Sequence, residues 1–140
     1  FFFGTAAVFL MADPSEKHYD LYIVLGRGQD DPERAFAAIG FATAAQAKGL
    51  QVELHLMFDG GLLGVEGRAD AITGPPPYEG TLGDKLDRFI SLGGEVTICT
   101  MCLRVRHADD LPLRNGTHKT TLPVVQAKML SAGKTLQFGC

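Results

Sequence analysis

Apolar positions along this chain come in short bursts whose spacing switches between two periods. Leu21 to Leu25 is an unbroken apolar run that stops at Gly26-Arg27-Gly28, the pattern of a fully buried strand in a parallel sheet. Asp31 then stands directly before Pro32, a carboxylate N-cap followed by the residue best suited to the first helical position. Phe36, Ile39 and Thr43 follow at helical spacing among alanines, and Gly49 after Lys48 closes the helix. From Gln51 to Phe58 the period drops to two. Val52, Leu54, Leu56 and Phe58 take one face of a strand, and Gln51, Glu53, His55 and Met57 take a more polar one, where His55 is expected to be structural.

Asp59 to Gly80 is glycine-rich and contains Pro75-Pro76-Pro77; a connection of this length is expected to cover a site or to meet a neighbouring subunit. Thr81 and Asp84 have capping-box spacing, Leu82, Leu86, Phe89 and Ile90 form a helical stripe, and Gly93-Gly94 stops it. A third strand is predicted over Val96 to Cys99, a turn region over Asp109 to Gly116, a last helix over Thr121 to Ala132 and a closing strand over Leu136 to Phe138. Strand and helix alternate throughout. That order predicts an α/β fold, a mostly parallel sheet with helices on both faces and its functional loops at the strands' carboxyl ends.

Composition narrows the class. The chain has 140 residues, 46% of them apolar and 21% charged, enough for one self-sufficient core. We read residues 1–19 as an apolar extension and linker and residues 20–140 as a single domain. The apolar run from Phe1 to Ala12 falls short of the ~20 residues of a membrane span. It is expected to pack in the core or at a subunit interface, or else to be the remnant of an export signal. A net charge of −3 argues against nucleic-acid binding. Three cysteines, at 99, 102 and 140, make a poor disulfide framework and fit a reducing, cytoplasmic setting.

The stretch from Val96 to Cys102 is the most informative. A buried strand runs into Cys99, and Cys102 follows three residues later. If a helix begins there, both sulfurs share a face and the exposed amides favour a thiolate; Arg104 and Arg106 are candidate anion stabilisers. Three other readings stand beside this one. The cysteines could be buried packing residues. They could be half of a zinc site completed by Cys140, His107 or His118, although the spacing matches no standard finger. They could form a thioredoxin-like disulfide, although the Trp and Pro common around thioredoxin cysteines are missing. Gly26-Arg27-Gly28 departs from a dinucleotide fingerprint because Asp31 stands where the third glycine belongs. No organic cofactor and no metal are therefore expected.

Cys99-Thr100-Met101-Cys102, Arg106, Leu111-Pro112-Leu113, Asn115-Gly116 and the closing Ala132-Gly133-Lys134-Thr135-Leu136-Gln137-Phe138 resemble the DsrE/DsrF-like sulfur-relay family, in particular its YchN-type branch. The first half is similar in layout, and the resemblance covers about residues 20 to 139. It implies a flavodoxin-like or Rossmann-like αβα sandwich and homo-oligomers, commonly trimers and hexamers. It also implies a sulfur carrier or sulfurtransferase in which Cys99 accepts persulfide sulfur from a donor protein and hands it to an acceptor, with Cys102 at the branch's second cysteine. The family commonly has Arg-Gly where this chain has Arg106-His107, and residues 1–12 have no counterpart in it. The alternative is a non-enzymatic oligomeric binding or regulatory module of the same fold with structural cysteines.

Overall fold

Residues 17–139 are described by the computed structural model, so the predicted packing of residues 1–12 lies outside the described residues. The apolar run Leu21–Leu25 forms β1, buried along its whole length. The helix α1 (Pro32–Ala47) starts where the sequence places it: the Asp31 side chain accepts from the Arg34 amide. β2 (Val52–Leu56) follows, shorter than predicted. Phe58 takes a left-handed φ of 51°, which turns the chain out of the ladder. The long connection is not a plain loop. It holds two 3-10 segments, Phe58–Gly64 and Ala69–Ala71. α2 (Leu82–Ser91) carries the complete capping box between Thr81 and Asp84. β3 (Glu95–Cys99) runs without a break into α3 (Thr100–Val105). A strand that the pattern does not reveal, β4 (Thr117–Thr120), precedes α4 (Leu122–Ser131) and β5 (Lys134–Phe138).

The five strands lie in the order β4-β3-β2-β1-β5, and every pairing is parallel. Each strand must then be reached by a crossover, which sends all the connections that follow strands to one edge. On one face Ile23, Leu54, Leu56, Val96 and Ile98 meet Phe36, Ile39, Leu82, Leu86 and Phe89 of α1 and α2. On the other, Tyr22 and Val24 meet Val125 of α4. Helices thus cover both faces, as the alternation predicts, but unequally.

Two glycines set how closely the long connection approaches the sheet. A Cβ on Gly60 would sit 2.4 Å from the Leu25 carbonyl oxygen, and one on Gly64 would meet Ile98 at 2.2 Å. These contacts seat the 3-10 segment on the ends of β1 and β3. Arg114 fixes the outer part of the connection. Its guanidinium is 8% exposed; it donates to Asp87 from both Nε (3.2 Å) and Nη2 (2.9 Å), to Asp70 from Nη1 (3.1 Å) and to the Gly83 carbonyl (3.1 Å).

The second sheet face is polar yet closed. Glu53 and His55, read from the alternation as the more polar side of β2, are fully buried. The Glu53 carboxylate accepts from the Tyr22 hydroxyl (2.6 Å), the Thr97 hydroxyl (2.8 Å) and Lys128 Nζ (2.8 Å). Because Thr97 donates its proton to Glu53, its oxygen accepts from His55 Nδ1 at 2.9 Å. His55 Nε2 then remains a buried nitrogen without a partner among the described residues. Burial pushes the His55 pKa down to about 4; Lys128 acts the same way and Glu53 opposes it. Burial, and then Glu53, raises the Tyr22 hydroxyl far above its ordinary range.

Two outcomes follow. Arg114→Ala is expected to lower stability by about 2–3 kcal/mol, seen as a fall in Tm of roughly 5–12 °C, and Arg114→Lys to recover little because an ammonium cannot reproduce the fork. A loss within the range of an ordinary surface substitution would show that Arg114 does not clamp the connection. For His55, the unfolded imidazole titrates near 6.5 and the folded one near 4, so acid protonates only the unfolded chain in that window. Stability is complete above about pH 6.5 and declines as pH falls to about 4. Urea unfolding near pH 7 and 4.5 should show this decline smaller by about 2–3 kcal/mol in His55→Leu.

Candidate functional site

The backbone places Cys99 as the last residue of β3 and the N-cap of α3. A cap side chain accepts from the first turn's unpaired amides. Here the acceptor is sulfur: the Cys102 amide donates to Cys99 Sγ at 3.3 Å. Thr100 fixes the start of the helix from the side, its hydroxyl donating to the Thr120 carbonyl at 2.9 Å, in the strand residue paired with Cys99. Cys99 and Cys102 therefore come together as the spacing predicts. Cys102 is buried, and its thiol is pushed up to about 11 by desolvation and by its hydrogen bond with Cys99. The backbone amide of Phe58 and the charge of Arg106 act in the opposite direction.

The two arginines part company. Arg104 lies with Cys99 on the wall of a pocket of about 280 Å³; it is well exposed and 3.8 Å from Asp109. Arg106 turns the other way. Its Nε donates to Asp59 at 2.9 Å and its Nη1 to the Cys102 carbonyl at 3.1 Å, tying the end of α3 to the 3-10 segment. Phe58 and Asp59, which the sequence reading did not single out, thus reach the Cys102 side of the site. The signal available in sequence was their position at the carboxyl end of a strand.

An accessible thiol is the sequence expectation for Cys99, whereas the residue is 5% exposed. Strand alternation turns it to the second sheet face, opposite Ile98, and Leu122 and Pro123 at the start of α4 complete the pocket around it, with Thr100, Met101, Thr120 and Thr121. Among the described residues, His107 and His118 included, no group of three or more His, Cys, Asp or Glu side chains is arranged to hold a metal ion. Cys140 lies outside the described residues.

His107 occupies a position with a backbone requirement. After α3, the His107 amide donates to the Arg104 carbonyl (3.0 Å) and the Ala108 amide to the Leu103 carbonyl (2.8 Å). The same pair of bonds closes α1 at Gly49 and Leu50 and α2 at Gly93 and Gly94. In all three the first residue past the cap is left-handed: φ is 93° at Gly49, 95° at Gly93 and 55° at His107. Histidine here takes the glycine-type turn at a steric cost.

The model of the DsrE/DsrF-like family matches residues 20–138. The chain belongs to the DsrE/DsrF-like family. The crystal structure of the ychN protein from E. coli superimposes with a TM-score of 0.73 at 25% identity, covering 86% of this chain and 99% of that one, consistent with the YchN-type branch. The flavodoxin-like α/β arrangement expected from the resemblance is the one the parallel sheet adopts. An uncharacterised protein of Methanocaldococcus jannaschii, MJ0760, is 27% identical over 97 residues, which are 69% of this chain. The matched region spans only 34% of that relative's length. No helix among the described residues is long and apolar enough to cross a membrane.

The shared cap gives a test. His107→Gly is expected to raise stability by about 1 kcal/mol, or roughly 3–5 °C in Tm, by relieving the left-handed position after α3. A thermal melt showing no gain would mean that the histidine side chain contributes as much as the turn costs.

Proposed function

We propose that this protein is a sulfur carrier in which Cys99 accepts and passes on persulfide sulfur. The observation that carries the reading is the Cys102 amide donating to Cys99 Sγ at the strand–helix junction, with the Cys102 thiol held protonated beside it. A sulfur that accepts a backbone amide hydrogen bond at a helix start is suited to carry the negative charge of a persulfide. Membership of the DsrE/DsrF-like family supports the same chemistry.

In the forward step the Cys99 thiolate attacks the outer sulfur of a donor persulfide. A new S–S bond forms to Cys99, the donor's own S–S bond breaks, and the donor thiolate leaves and takes up the persulfide proton. In the release step an acceptor's thiolate attacks the outer sulfur on Cys99, which departs as thiolate. Alternatively Cys102 attacks the inner sulfur and expels hydrosulfide; the resulting Cys99–Cys102 disulfide is reset by an external dithiol. Arg104, on the pocket wall, is the cation available to an anionic sulfur donor. Arg106 contributes by holding α3 to Asp59. We further propose a homo-oligomer, trimer or hexamer, working in the cytoplasm with donor and acceptor proteins, with the connection 59–80 covering the Cys102 side.

The burial of Cys99 favours a second reading, an oligomeric binding or regulatory module whose cysteines only pack. Persulfide loading decides between them. Reduced protein incubated with a persulfide donor should gain the mass of one sulfur, mapped to Cys99 and lost in Cys99→Ala. Absence of the adduct under conditions in which iodoacetamide does label Cys99 would establish the binding module instead.

A further inference from the structure

The helix beside Cys99 buries little of its own surface. Leu122 and Pro123, the first turn of α4, wall the Cys99 pocket. Of the ten residues in α4 only Val125 is buried, while Leu122, Val124 and Leu130 are 59%, 44% and 82% exposed. Between α4 and the sheet lies a second, mainly apolar pocket of about 740 Å³, lined by Val24, Met57, Phe58, Met129 and Gln137 among others. The Thr121 side chain makes no capping bond, so the end of the helix nearest Cys99 lacks the lock that Asp31 and Thr81 give α1 and α2.

The opposite end is fastened. Gly133 and Lys134 donate backbone hydrogen bonds to the Tyr19 and Asp20 carbonyls, and Lys128 reaches the buried Glu53 carboxylate at 2.8 Å. Its ammonium also lies 5.6 Å from the centre of the Tyr19 ring. A helix with one fastened end, one unlocked end and little buried surface opens locally before the core does.

The geometry points to α4 as a lid over Cys99, latched by Lys128 on Glu53 and opening from its Leu122–Val125 turn to admit a partner's sulfur. The need for a partner's sulfur rests on the sulfur-carrier reading; the opening of the lid does not. Glu53 and Lys128 act here as positioning residues, since neither touches the reacting sulfur. Loss of the latch lets Glu53 regain water only in the open state, so it favours opening.

The test compares two protection measurements on the whole chain. Amide hydrogen exchange reports the opening of α4, and the rate at which iodoacetamide labels Cys99, read by peptide mapping against a free thiol, reports access. In the native protein the two protection factors should agree and lie well below those of the β1 and β2 amides. Lys128→Met should lower both by roughly tenfold or more, by matching factors, with the β1 and β2 amides still far better protected than those of α4. Val125→Ala strands no charge and should act the same way. If α4 opens faster and Cys99 labelling does not, access runs by another route and the lid is overturned. If the α4 amides are as well protected as the β1 and β2 amides in the native protein and in both variants, α4 opens only with the global fold and the proposal also fails. Labelling needs no sulfur donor, so a working lid on a protein that takes up no persulfide would count against the carrier and not against the lid.

Discussion

A sheet whose strands are all parallel fixes where chemistry can be placed. No strand can be joined to its neighbour by a tight turn, so the chain returns across a face each time, and every strand's carboxyl end opens on the same side. Cys99 stands at one of those ends. The 3-10 segment and Arg106 approach the cysteines from one flank, and the first turn of α4 from the other. Remove the register of β3 between β2 and β4 and none of these groups converge.

The two flanks differ in how firmly they are made. On the Cys102 side, a Cβ on Gly61 would lie 3.7 Å from the Cys102 Cβ, and Arg106 joins two segments through Asp59 and the Cys102 carbonyl. Around Cys99 the pocket wall is shared by the first turn of α3, the end of β4 and the first turn of α4, a helix with a single buried residue. Cys99 therefore borders a helix with little buried surface, and Cys102 a connection tied down by the Arg106–Asp59 ion pair. This division agrees with giving the two sulfurs different tasks.

Much of this was legible in residue order because local signals and tertiary packing coincide. The run at Leu21–Leu25, the Asp31-Pro32 start, the Thr81/Asp84 box and the stops at Gly49 and Gly93 all reappear as drawn from the pattern. β4 escaped because Thr-His-Lys-Thr at the sheet's edge has nothing apolar to alternate, its pairing being made by the backbone alone. The closure of Glu53 escaped because a single charge in a strand reads as solvent-facing, and its partner Lys128 lies 75 positions further along. The shielding of Cys99 depends on Leu122 and Pro123, and the shared cap at His107 on a backbone angle; neither is encoded in local periodicity.

The polar character of the outermost strands has one more effect. A sheet border is a template on which stray chains can add, and long apolar borders invite aggregation. Here one margin is β4, only four residues long, with exposed His118 and Lys119, and the other is β5, which begins at exposed Lys134 and Thr135. Among the described residues, brevity at one side and a cation at each leave little for an incoming ribbon to dock on.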